Sequence, residues 1–214
     1  MSNHVTNWVA DKLVATEDIE IVDRTPEDFL VVRAKDGYTF LVAVLGVQDV
    51  VGLSDVEPLF TAATKPQFVV NVPSKTLWSG SAINHIHAES AAFGTLGDVS
   101  RAANMGDAGS YRDKNMVFFI NAMEQHSNVS SVTYIYGTVF KVDRKVGASL
   151  VVAVIDTYNM SAEDVRNTRS RFGHFDVVVK STSYGSITSQ AEAAAQSMGA
   201  QALTFRQLMG MLGN

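Results

Sequence analysis

The residues of this chain that could do chemistry lie in four places, and none of them completes a known catalytic motif. His85 and Glu89 are four apart in a stretch of helical periodicity, so a helix would set them on one face. There an imidazole and a carboxylate could hold a metal ion or move a proton, while His87 points elsewhere. Arg166, Arg169 and Arg171, followed by His174, cluster near the end of a predicted helix and offer cationic donors to a phosphate or a nucleic-acid backbone. Thr182-Ser183-Tyr184-Gly185-Ser186 lies between a predicted strand and a helix N-terminus, which makes Thr182, Ser183 and Ser186 candidates for holding a ligand or an anion. Trp78 could anchor a partner. Each group also has a plainer account: an exposed helix pair, cations near a helix C-terminus, turn and capping chemistry, and a tryptophan covering the core. No phosphate loop, dinucleotide fingerprint, nucleophile elbow or zincin helix occurs.

Composition narrows the chemistry further. The chain has 214 residues, 46% of them apolar, and no cysteine, so disulfides, iron–sulfur clusters, thiolate zinc sites and a cysteine nucleophile are all excluded. Net charge is −5, unevenly shared: residues 1–107 hold 7 Lys/Arg and 14 Asp/Glu, residues 108–214 hold 10 and 8. An acidic first half argues against a broad phosphate-binding surface and leaves room only for a local basic patch in the second. No apolar run approaches the roughly 18 residues that span a bilayer, and Met1–Trp8 shows no basic region followed by an apolar one. A soluble, cytoplasmic protein is the expectation.

The elements that must position these residues recur. Val31–Leu45 lies over Lys141–Ile155, with lysine, glycine, valine and alanine coinciding; Gln67–Val72 lies over His174–Val179, and the helix around Ala82 over that around Ala191. The shift is roughly 107 to 110 positions, the mark of a tandem duplication. Each half reads as helix, three strands, helix, strand, helix, strand, helix (αβββαβαβα), and so as a mixed α/β unit with a central sheet flanked by helices. Asp36-Gly37 predicts a hairpin between the second and third strands, Ser54–Glu57 and Ser161–Asp164 predict capped helices, and a helix is expected from Ser79 or Ser81 to about Phe93. Asn104–Ser110 has the composition of a linker, placing the boundary between units 1–105 and 106–214.

This order resembles the core of the restriction-endonuclease-like superfamily, whose signature is PD-(D/E)XK. The likeness is greatest over Asp176-Val177-Val178-Val179-Lys180-Ser181-Thr182-Ser183-Tyr184-Gly185, Gln190–Ala194 and Gly199–Leu203, which resemble the strand, Ser/Thr-rich loop, Ala-rich helix and short strand closing Mrr-like nuclease domains. The resemblance implies a divalent-ion site with an Asp on the second strand and an acidic-x-Lys pair on the third. Here the third strands, Phe40–Leu45 and Leu150–Ile155, carry neither a carboxylate nor a lysine. Asp143 stands acceptably on a second strand, but the next carboxylate, Asp156, comes only after the third strand has ended. With a turn near Gly147, Asp143 would face about Val151, some 17 Å from Asp156 at strand rise.

The expectation is therefore a non-enzymatic binding or assembly protein built from two degenerate nuclease-like units, needing no cofactor. Its partner would be another protein or a second copy of itself, with nucleic acid disfavoured by charge and no membrane involved. The alternatives are a metal-dependent nuclease or nucleic-acid-binding protein with a relocated site, drawn from Asp143, Asp156 or the Glu17-Asp18-Glu20 cluster, and a small-ligand or nucleotide sensor using the loop 182–186.

Overall fold

A computed structural model describes residues 4–16 and 18–213, and the chain divides into two compact units, one ending at Asp113 and the other beginning at Lys114. The first opens with α1 (His4–Val14) and three strands, β1 (Ile19–Arg24), β2 (Leu30–Ala34) and β3 (Thr39–Leu45). Then come a two-residue strand β4 (Val50–Val51), α2 (Leu53–Val56) running into a 3-10 turn, β5 (Phe68–Asn71), a second two-residue strand β6 (Leu77–Trp78), α3 (Gly80–Ala88), β7 (Ala92–Gly94) and α4 (Leu96–Ala103). The sheet order is β1-β2-β3-β5-β7, antiparallel up to β3 and parallel beyond it, with β4 and β6 forming a separate parallel pair. The second unit comprises α5 (Lys114–Glu124), β8 (Val129–Tyr136), β9 (Val139–Arg144), β10 (Leu150–Ile155), α6 (Ala162–Phe172), β11 (Val177–Lys180), α7 (Ser189–Ser197), β12 (Gln201–Thr204) and α8 (Phe205–Leu212). Its sheet runs β8-β9-β10-β11-β12 with the same change from antiparallel to parallel after the third strand.

Central strands with both faces covered must be apolar throughout, and this is why β3 from Phe40 onward and β10 lack polar residues. On one face of the first sheet Phe40, Val42, Phe68 and Val70 pack with Val9 and Leu13 of α1 and with Val99, Ala102 and Ala103 of α4. The alternate residues Ala43 and Val69 are fully buried too. In the second unit Phe140, Val142, Val152, Val154, Val177 and Val179 meet Met116, Phe119 and Met123 of α5 and Leu208 and Leu212 of α8. The opposite face, with Val139, Ala153 and Val178, is closed by Val165 of α6 and Ala191, Ala194 and Ala195 of α7. Each such side chain contributes roughly 1.5–3 kcal/mol if aliphatic or aromatic and fully buried. Among the described residues no helix is long and apolar enough to cross a membrane.

Local hydrogen bonds match between the units at positions 109 apart, or 110 on the third strands. Gly52 N donates to Asp55 as Ser161 N does to Asp164, each at 2.8 Å; Ser79 caps α3 through Ala82 N as Thr188 caps α7 through Ala191 N, each at 3.2 Å. Thr95 with Asp98 and Thr204 with Gln207 form equivalent capping boxes. The side chain of Gln67 accepts from Leu41 N at 2.7 Å, and that of Asp176 from Val151 N at 2.7 Å. Gln67 therefore answers Asp176, 109 positions on, and not the His174 placed over it by the sequence match, which is two residues short of the spacing shared by the flanking elements.

Three expectations shift. Ser90 takes a left-handed backbone (φ 56°), so α3 stops at Ala88 and the residues expected to finish the helix instead form β7, pairing with Phe68–Val70. The β4–β6 pair was not foreseen. The division between units falls at Asp113/Lys114 and not at 105/106, because the linker-like stretch is held by the first unit: Ala108 N donates to the Tyr38 hydroxyl at 2.9 Å, and Tyr111 packs on Phe68 with its hydroxyl 2.5 Å from Asp98. Asp98 also takes Thr95 N and Arg101, and burial together with that carboxylate pushes the Tyr111 phenol up to about 12. Tyr111→Phe keeps the ring and loses the bond to a charged acceptor, so urea unfolding at pH 7 should show a loss of about 1.5–2 kcal/mol.

Candidate functional site

The most organised polar cluster lies at the C-terminal end of the parallel strands of the second unit, where open α/β sheets place their crevices. Lys180, the last residue of β11, is only 1% exposed. Its ammonium turns back into the loop that follows and donates to the carbonyl of Thr182 at 2.7 Å and to that of Tyr184. An ammonium buried without such acceptors would carry a large desolvation cost, so the loop wraps the charge with its own backbone. Thr182 Oγ1 accepts from Tyr184 N at 3.1 Å. Asn159, in the loop after β10, accepts from Ser186 N at 2.9 Å and from its hydroxyl at 3.2 Å. Thr188 N donates to the Met160 carbonyl at 3.1 Å, completing the tie between the two loops. Asp156 accepts from Ser181 at 3.1 Å and from Asn115 at 3.1 Å.

The equivalent of Lys180 in the first unit is Asn71, 3% exposed at the end of β5. Its amide donates to Val47 O (3.0 Å) and Pro73 O (3.3 Å), and its oxygen accepts from Val47 N (2.9 Å). Both units thus end their central parallel strand in one buried polar residue that holds the adjoining loops. Neither Lys180 nor Asn71 was picked out from sequence. The available signal was a single polar residue closing an otherwise apolar strand.

This geometry bears on the loop 182–186 as an anion site. Three of the backbone donors near this loop are engaged inside the protein: Tyr184 N by Thr182, Ser186 N by Asn159, and Ala191 N by the Thr188 cap. Ser183 is exposed, while Thr182 and Ser186 serve the turn. What the two loops do present outward are the rings of Tyr158 and Tyr184, 68% and 74% exposed.

The carboxylates do not converge. Strand pairing sets Lys141 opposite Val151, which puts Asp143 opposite Ser149 and not opposite Val151. Ser149 and Asp156 are seven residues apart, about 23 Å at strand rise, whereas ligands of one metal ion lie within about 5 Å of each other. Asp143 is occupied by Lys141 (2.8 Å), Ser149 (2.5 Å) and Ser131 (2.8 Å), and these partners, Lys141 first, hold its carboxyl down at about 2. A carboxylate that acidic is a poor general base near neutrality. Of the acidic cluster near the N-terminus, Glu17 lies outside the described residues, Asp18 pairs with Lys35 at 2.9 Å and Glu20 with Arg33 at 3.4 Å.

Most of the remaining candidates are engaged with neighbouring side chains. Glu89 follows α3 and is held by Lys65 at 2.5 Å, while the His85 ring lies edge-on to Phe60 with centroids 5.6 Å apart. Among the described residues no group of three His, Cys, Asp or Glu side chains is placed to hold a metal ion. Arg169 and Arg171 point to opposite sides of α6 by helical geometry. Arg169 sits over the Phe175 ring (5.6 Å) and contacts His174 at 3.2 Å, Arg171 sits over Phe172 (5.0 Å), and Arg166 is exposed. Trp78 is 9% exposed against Phe93, so it covers the core.

Burial, then the nearby Arg112, brings the His87 imidazole down from 6.5 to about 4. The unfolded chain takes up a proton as pH falls below about 6.5 and the folded chain resists until about 4, so stability is lost across that window and not above it. Because the ring is only partly buried, the loss should be on the order of 1 kcal/mol. Urea unfolding of wild type and His87→Gln at pH 7 and pH 4.5 isolates it: the variant should lose less on acidification by that amount.

No known protein family, curated protein or solved structure matches this chain.

Proposed function

We propose that the chain is a non-enzymatic binding or assembly protein formed from two degenerate nuclease-like units that arose by duplication. The observation that carries the reading is the chemistry of the third strands: β3 from Phe40 onward and the whole of β10 are apolar, and the one second-strand carboxylate, Asp143, is tied to Lys141, Ser131 and Ser149 far from Asp156. The shared strand order and the capping and strand-end bonds 109 or 110 positions apart support a common ancestry for the units. Support for a protein partner comes from Tyr158 and Tyr184, two exposed aromatic rings on loops made rigid by Lys180 and Asn159, the kind of anchor that concentrates binding energy.

Incubation of the protein with mixed single- and double-stranded DNA in Mg²⁺ or Mn²⁺, followed by gel analysis, tests the reading. No cleavage is expected from wild type, and Asp143→Ala should behave identically. Cleavage that disappears in a folded Asp143→Ala protein would overturn it.

A further inference from the structure

The four edges of the two five-stranded sheets differ in how they are protected against pairing with another strand. β1 carries Glu20, Asp23 and Arg24 and is broken by a bulge between Ile21 and Asp23; β7 has three residues and β12 four. Charges, bulges and shortness are the ordinary means of blocking an edge. β8 has little of this protection. It is eight residues long, Val129-Ser130-Ser131-Val132-Thr133-Tyr134-Ile135-Tyr136, without charge or proline, and it is the outer strand of its sheet. Its register shifts lie toward its two ends, leaving Val132–Tyr134 in regular pairing with β9. The cation nearest its middle, Lys141 opposite Thr133, is bound to Asp143 at 2.8 Å along β9.

We infer that β8 pairs with β8 of a second copy of this chain, antiparallel about a twofold axis through Thr133, joining two five-stranded sheets into one of ten. This rests on the reading of the chain as an assembly protein and names its partner. The sequence of the strand is what selects a copy of itself. Residues directly opposite in an antiparallel pair share a face, so a twofold axis falls on a residue and not between two. Centred on Thr133, the pairing sets Thr133 opposite Thr133, Val132 opposite Tyr134, and Ser131 opposite Ile135. Val132 and Tyr134 already pack against the core beneath α5 and α8, so their cross-strand contact extends an apolar face. Thr133 is exposed, and Thr–Thr is a favourable cross-strand pair. No charge on the strand meets its own image, which is the repulsion that would forbid a symmetric pairing.

The test uses the full chain. Sedimentation equilibrium from about 1 to 100 μM should show a concentration-dependent mass rising from 23.1 kDa toward twice that value. Thr133→Lys puts two ammonium groups face to face on the axis and should raise the dimer dissociation constant at least tenfold, with an unchanged circular dichroism spectrum. Since the chain has no cysteine, Thr133→Cys gives a second readout: mild oxidation should produce a cross-linked dimer on a non-reducing gel, and Val146→Cys, exposed on the turn after β9, should not. A monomer over the whole range, a dimer that Thr133→Lys leaves unaffected, or equal cross-linking of both cysteine variants overturns the inference. A monomer that also fails to cleave DNA removes the self-pairing alone, whereas metal-dependent cleavage by a dimer removes the non-enzymatic reading alone.

Discussion

Gly185→Ala should be the most damaging single-methyl change in the second unit. Gly185 has φ 75° and a Cβ built there would lie 1.8 Å from the carbonyl oxygen of Tyr158 and 2.9 Å from Asn159 Oδ1. The first contact is with backbone, so no rotamer relieves it and one loop must move. That movement breaks the bonds from Ser186 to Asn159 and loosens the parallel bridge between Met160 and Ile187. The left-handed conformation costs an alanine about 1 kcal/mol, and overpacking against a fixed backbone roughly 1–3 more, so a loss of about 3 kcal/mol is expected. Chemical denaturation gives the total. Faster hydrogen exchange confined to the segments around 158–160 and 183–187 would place it; a variant as stable as wild type would show that the loops do not pack this way.

The second large effect is expected at Lys180. Replacing it by Ala removes the cost of burying an ammonium but leaves the Thr182 and Tyr184 carbonyls aimed into the same volume with nothing to accept from, and it empties the space of a long side chain. Two unsatisfied acceptors and a cavity outweigh the recovered desolvation, giving a net loss of about 2–3 kcal/mol. For a chain of this size that lowers the melting temperature by roughly 4–12 °C. Lys180→Met fills the volume without a donor and should lose about half as much, separating the packing part from the hydrogen-bond part. Both variants should free the Tyr184 ring, which a reporter dye on the loop would register as increased mobility. If Lys180→Ala melts like wild type, the ammonium does not organise the loop.

These two residues show where a sequence is informative and where it is not. The apolar runs 40–45 and 150–155 identify the central strands because burial on both faces demands an unbroken apolar stretch, and Asp36-Gly37 gives the β2–β3 hairpin because Gly37 takes φ 91° and Asp36 accepts from Tyr38 N. The Ser161 cap is local as well, set within four residues. The end of α3 was hidden because the residue that turns left-handed is a serine, and glycine is the usual signal. The register of β11 was hidden because His174 and Asp176 both look like polar residues preceding a strand; only the bond from Val151 N to Asp176 picks one. Lys180 was legible as a polar residue but not as a buried one, since its burial depends on carbonyls two and four residues along folding back over it. The candidate carboxylates are taken by partners on other strands or loops: Lys65 on Glu89, and Ser131 and Ser149 on Asp143.

The central claim of the proposed reading, that neither unit holds the divalent-ion site a nuclease-like origin would imply, is tested most directly by titrating Mn²⁺ into the protein near pH 7.5 in an isothermal calorimeter. The account predicts no saturable heat up to millimolar ion, because Asp143 and Asp156 stand at opposite ends of β10 and the first unit offers no carboxylate on its third strand. One or two sites with micromolar affinity, lost on Asp143→Ala with folding intact, would contradict it.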